Sequence, residues 1–152
     1  MDEQLIETWA IHDRINRYLL AAVPSEALGK ALGPKHRSVY QLFAHIHNVR
    51  LMWLKSAAPD LLDGLSKLDG ETGDKAALGA ALEASGRAVE ALLRKGLADG
   101  RVKGFRPHPA AFLGYLISHE SHHRGHIGWT LKNTGHALDR KTMYGMWEWG
   151  AR

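Results

Sequence analysis

The sequence contains no cysteine, which excludes disulfides, thiolate metal ligands and cysteine nucleophiles. It also lacks any run close to the roughly 20 apolar residues that a membrane-spanning helix needs. The first residues, MDEQLIETWAIHDR, are acidic where a signal peptide would be basic. We therefore expect a cytoplasmic protein in which any metal ion is bound by imidazole, carboxylate or water.

No block of like charge stands out either. The 20 Lys and Arg residues are interleaved with 16 Asp and Glu, for a formal net charge of +4. A nucleic-acid-binding surface would gather basic residues into a stripe, so this dispersion argues against a nucleic-acid partner. With 152 residues, 45% of them hydrophobic, the chain is predicted to form one globular domain over residues 1–152.

Alternating β-branched runs, which would indicate a sheet, are also missing. Instead, apolar residues recur with a period of 3.6 in four segments, which are Asp2 to Val23, Ser38 to Ala58, Asp74 to Leu97 and Ala110 to Asn133. Ser38 and Asp74 are suitable N-cap residues, and Gly135 is a suitable C-terminal stop. The pattern predicts an all-α fold, a four-helix bundle.

Two segments lie outside these helices. Asp60 to Gly73 is rich in glycine and acidic residues and is predicted to be a loop with one short helical turn. Ala137 to Arg152 is too apolar to be free in solvent, so we expect it to pack back on the bundle. Its Trp147 and Trp149 either cap the bundle or line the mouth of a pocket.

Histidine is what the sequence has in excess, with 10 residues, and SHESHHRGHIGW from Ser118 to Trp129 holds four of them. His119 and His123 are one helical turn apart on the predicted apolar face, and from about 5–6 Å both rings can reach one ion. His126 projects within about 20° of His119, whereas His122 falls towards the surface. The spacing alone is weak, because ten scattered histidines would give about 0.6 such pairs by chance.

A third ligand is expected from the second helix. His45 lies beside Leu42, Val49 and Met52 on the predicted inward side, while His47 points about 200° away, towards solvent. On the first helix, His12 beside Trp9 is a candidate second-shell residue or fourth ligand. The alternative is a core of separately hydrogen-bonded histidines without a metal.

Three elements of the sequence resemble the DinB/YfiT family of metalloenzymes: LFAHIHNVRLMWL, SHESHHRGHI and the closing YGMWEWG. The resemblance implies an up-down-down-up four-helix bundle and one divalent ion bound by His45, His119 and His123. That ion is expected to be nickel or zinc, with iron or manganese as alternatives. Family members commonly have glutamine where this chain has His126, which leaves the coordination number open.

The resemblance further implies a metal-dependent enzyme of the thiol S-transferase or hydrolase type, with a small-molecule substrate such as a low-molecular-weight thiol. His126 or His12 would be the nearest base, with Trp9 in the surrounding pocket. The resemblance also implies a homodimer, and the exposed Trp and Met residues would permit such pairing. The alternative function is a non-catalytic metal- or ligand-binding stress-response module.

Arg124 is expected to be solvated or salt-bridged, the alternative being an anion clamp for a carboxylate.

Overall fold

The computed structural model describes all 152 residues and is built almost entirely from helices. The long helices are α1 (Asp2–Ala22), α2 (Val39–Ala57), α3 (Lys75–Asp99) and α4 (Pro109–Asn133), followed by the short α5 (Arg140–Gly145). Single 3₁₀ turns cover Ser25–Ala27, Pro59–Leu62 and Trp149–Ala151, and one isolated β-bridge joins Val102 to Phe105. The predicted all-α class and four main helices are confirmed. None of the helices combines the length and apolar character needed to cross a bilayer.

The helix ends follow from their capping residues. The Ser38 hydroxyl accepts from the backbone N–H of Gln41, whose side chain accepts from the backbone N–H of Ser38 in return. Asp74 caps α3 in the same way through one bond. α4 starts at Pro109, one residue earlier than predicted, because proline at the first helical position needs no N–H partner.

Contacts along α3 fix the directions of its two neighbours. On α1, Glu3 pairs with Arg94 and Asp13 lies against Gly86, so the residue numbers run in opposite directions and the helices are antiparallel. On α2, Tyr40 lies against Gly73 and the Arg50 guanidinium donates to the carbonyl of Leu82, so these helices are parallel. A parallel pair needs a crossover, which is why residues 58–74 form a long connection.

α4 completes the bundle between α1 and α2. Its Glu120 and Arg124 contact His12 and Asn16 in the same order, so α4 runs parallel to α1. Together these directions give the up-down-down-up order. The C-terminal segment returns to α1, as expected: the Arg152 guanidinium lies 3.8 Å from the centroid of the Tyr18 ring.

The prediction for the buried side of α2 was wrong in part. Met52 is 53% exposed, whereas His47, expected in solvent, is 1% exposed and hydrogen-bonds through Nε2 to the carbonyl of Ser66 at 2.8 Å. α2 is covered by α3, α4 and the connection around Ser66, so its buried arc is wider than one apolar stripe and is rotated away from Met52. His45 consequently lies at the edge of this arc.

Candidate metal centre

The structure brings together the three histidines that were predicted to bind a metal. His119 Nε2 lies 3.3 Å from His45 Nε2 and 3.2 Å from His123 Nε2. His45 comes from α2 and the other two come from successive turns of α4. The ligand atoms of all three lie within 4.8 Å of one another. We call these three residues the histidine cluster.

Hydrogen bonding alone explains the cluster poorly. An imidazole nitrogen carries either a proton or a lone pair, so His119 Nε2 cannot donate to one neighbour and accept from the other. A cation removes this conflict, because all three nitrogens can then direct lone pairs at one point. Ligands at 2.0–2.1 Å from a tetrahedral ion are about 3.3 Å apart, which the observed nitrogen separations match. The donor set therefore fits a divalent ion.

Packing between rings holds the imidazoles in place. The buried Nδ1 atoms of His119 and His123 have no hydrogen-bond partner, although metal-binding histidines usually donate this N–H to a carboxylate or carbonyl. Instead, the His119 ring stacks against Tyr115 at a 14° interplanar angle, and the His123 ring packs edge-on against His122 at 5.1 Å. The predicted surface position of His122 is confirmed, since this residue is exposed.

The electrostatics of the cluster favour neutral imidazoles. Burial lowers the pKa of His45 and of His119, and burial together with the charges of His119 and His45 lowers the pKa of His123 to about 3. The positive charge of Arg37 contributes to all three shifts. Neutral rings present the lone pairs that a metal ion requires.

The cluster lies near the surface of the bundle. His45 and His119 are half-buried, and only His123 is buried. Arg37 is exposed and its charge acts on all three rings, and the half-buried His126 lies about one helical turn beyond His123 on α4. Three imidazoles leave at least one coordination position free, so a water or a small ligand could reach an ion held here.

A buried ion-pair network lies beside the cluster, on the next side of α4. The carboxylate of Glu120 accepts four hydrogen bonds: from Arg50 Nε at 2.7 Å, Arg50 Nη2 at 2.8 Å, Asn16 Nδ2 at 2.7 Å and His12 Nε2 at 2.8 Å. Despite complete burial, these donors and the Arg50 charge hold the pKa of Glu120 far below its usual range. Glu120 follows His119 directly, so the network fixes the backbone that carries two of the three imidazoles.

The network continues beyond the Glu120 carboxylate in two directions. Arg124 donates to Asn16 Oδ1 at 2.7 Å and approaches His12 Nδ1 at 3.2 Å, which assigns the proton of His12 to Nε2. On the far side, Arg50 pairs with Asp13 at 2.9 Å. Glycine at position 86 leaves the space that the Asp13 carboxylate occupies, because a Cβ there would overlap it.

The other predicted site residues lie outside the cluster. His12 is fully buried and both of its nitrogens are engaged by Glu120 and Arg124. Trp9 is 1% exposed and donates from Nε1 to the carbonyl of Gly86 at 2.9 Å, which places it in the core as a neighbour of His12.

The residues Asp13, Asn16, Arg50 and Glu120 were missed by the sequence analysis. Asn16 lies on the predicted apolar face of the first helix, and that position was the available signal, whereas the other three lie beside the predicted faces.

Comparison with known proteins agrees with the fold. The model of the DinB family matches residues 1–149. The crystal structure of a DinB-like protein from Bacillus cereus has a similar fold with a TM-score of 0.71, at 20% sequence identity, over 90% of this chain and 95% of the other. Among proteins with curated functions, none matches this chain. Because the family model covers nearly the whole sequence, the chain belongs to the DinB family.

Proposed function

We propose that this protein is a metal-dependent enzyme of the thiol S-transferase or hydrolase type, with His45, His119 and His123 as ligands of one divalent ion. The observation that carries the proposal is that His119 Nε2 lies 3.2–3.3 Å from Nε2 of both His45 and His123, on the partly exposed edge of the bundle. All-nitrogen sites with an open position are typical of catalytic rather than structural metal centres. Nickel and zinc both suit imidazole ligands.

When bound, the ion would act as a Lewis acid that lowers the pKa of a thiol or of water. The chain's own groups would bind and orient the reactants. Arg37 supplies positive charge at the rim, which favours an anionic substrate or the thiolate form of a thiol. His126, half-buried about one helical turn beyond His123, is the group that we assign to accept a proton there.

His12 has a different part in this proposal. Its Nε2–H is held by Glu120 and its Nδ1 faces Arg124, so it cannot serve as a fourth ligand without breaking both contacts. We assign it the role of a positioning residue that supports Glu120 and thereby the backbone at His119.

A homodimer, as the family resemblance implies, is included in the proposal, and sedimentation of the purified protein measures it.

The test begins with elemental analysis of protein purified without chelators, which should contain about one divalent ion per chain. The loaded protein is then assayed with low-molecular-weight thiols and with a panel of electrophiles and hydrolysable esters and amides. His119→Ala should lose both the metal and the turnover, whereas the matched control His108→Asn, an exposed histidine at the N-cap of the same helix, should keep both. Metal without turnover would favour the non-catalytic binding module, and absence of metal would overturn the proposal.

A further inference from the structure

A cavity of about 780 Å³ lies between α4 and the C-terminal segment, away from the histidine cluster. Gly128 in its wall is about 180° around α4 from His119, so the helix itself separates the two. The volume is within the range of about 300–1,000 Å³ that is typical of small-molecule sites. The lining consists of Ile117, Ser121, Arg124, Gly125, Gly128, Trp129, Lys132, Ala137, Leu138, Met143, Met146, Trp147 and Trp149.

The charges of this lining are all of one sign. It contains Arg124 and Lys132 but no aspartate or glutamate. The direct partners of the Arg124 guanidinium are neutral: Ser121 Oγ at 2.9 Å, Asn16 Oδ1 at 2.7 Å and the His12 ring. Arg124 is therefore a half-buried cation without a carboxylate in contact.

The rest of the lining is apolar and aromatic. Trp147 is 80% exposed and Trp129 is 57% exposed, which is costly for side chains of this size unless something covers them. Gly125 and Gly128 leave the α4 wall without side chains, and a Cβ at either position would meet no atom within 4 Å. A flat apolar group can therefore lie against the helix between the tryptophan rings.

We propose that this cavity binds small amphipathic carboxylates, with the carboxylate at Arg124 and a planar apolar body among the tryptophans. Charge complementarity selects the anion, because a bound carboxylate would supply the partner that Arg124 lacks. The aromatic walls select a planar body through offset stacking. This site is separate from the metal centre, and the proposal does not rest on the activity proposed for that centre.

The probes are 2-naphthoate and its neutral counterpart 2-naphthalenemethanol, titrated calorimetrically into the full-length protein with and without metal. The protein should bind 2-naphthoate more tightly than the alcohol in both states. Arg124→Gln should weaken 2-naphthoate binding by at least about tenfold and change alcohol binding little.

A variant that fills the cavity tests the location even if Arg124→Gln fails to fold. Gly128→Leu should abolish binding of both probes, since its side chain would occupy the wall of the cavity. The matched control is Gly114→Leu, on the same helix but outside the lining; a Cβ there also meets no atom within 4 Å. Both variants should keep their helical content and their metal content.

The proposal is overturned if the wild type binds neither probe, or if Gly128→Leu binds as well as Gly114→Leu. Equal affinity of the wild type for acid and alcohol would also overturn it, because Arg124 would then not select the anion. Sedimentation distinguishes a ligand site from a dimer interface at this cavity. A wild-type dimer that Gly128→Leu dissociates would mean that a second copy of the chain covers the cavity.

Discussion

The histidine cluster and the ion-pair network begin at adjacent residues of α4, yet they treat buried polar atoms in opposite ways. Glu120 accepts four hydrogen bonds, and all three nitrogens of the Arg50 guanidinium donate. In the cluster, three Nε2 atoms face one another and cannot all be paired by hydrogen bonds among themselves. A satisfied network stabilises a fold by itself, whereas an unsatisfied group of lone pairs indicates a missing ligand.

The largest effect is expected from a substitution in the ion-pair network. Glu120→Gln removes the charge that compensates Arg50 in a fully buried site, so the free energy of unfolding should fall by about 3–5 kcal/mol. Urea unfolding followed by circular dichroism measures the change. The matched control is Glu83→Gln, whose exposed pair with Arg87 should contribute no more than about 1 kcal/mol. Similar losses in both variants would contradict the assignment of Glu120 as the centre of the network.

Zinc should raise the free energy of unfolding through the histidine cluster and not through the ion-pair network. With free zinc at about 100 times its dissociation constant, the wild type should gain about 2.7 kcal/mol in unfolding free energy. His123→Ala should gain none, since two imidazoles cannot hold the ion, and its metal-free stability should change little. The control His108→Asn, at the exposed N-cap of α4, should gain as much as the wild type. Stabilisation of His123→Ala by zinc would place the metal elsewhere.

A smaller effect per residue is expected from pH, through the buried histidines outside the cluster as well as through the cluster itself. Burial lowers the pKa of His12 and of His47, so each stays neutral in the folded protein while the unfolded chain takes up a proton below about pH 6.5. Stability of the metal-free protein should therefore be constant above that pH. It should fall below it, by up to about 1.4 kcal/mol per pH unit for each histidine.

Urea midpoints between pH 7.5 and 5.5 measure this slope. His47→Gln should flatten it, because a glutamine amide can still donate to the Ser66 carbonyl but does not titrate in this range. A slope that His47→Gln leaves unchanged would contradict the contribution assigned to His47.

Local signals explain how much of the fold was predictable. Ser38, Asp74 and Gly135 marked helix ends, because capping depends on a few neighbouring residues. The spacing of His119 and His123 indicated their shared face for the same reason. His47 was misplaced because the sequence does not reveal that the connection around Ser66 covers a second side of α2.

The network was missed for a tertiary reason. Arg50 and Glu120 are 70 residues apart, and each alone is an ordinary charged residue on a helix. Their pairing depends on the up-down-down-up packing, which no local pattern encodes. The cavity beside Arg124 likewise depends on how the C-terminal segment returns to the bundle.

The most direct measurement is an anomalous difference map from crystals of the protein purified without chelators and loaded with zinc. The account predicts a single strong peak about 2.0–2.1 Å from Nε2 of His45, His119 and His123. A map without a peak between these rings, or with the zinc bound at other residues, would contradict it.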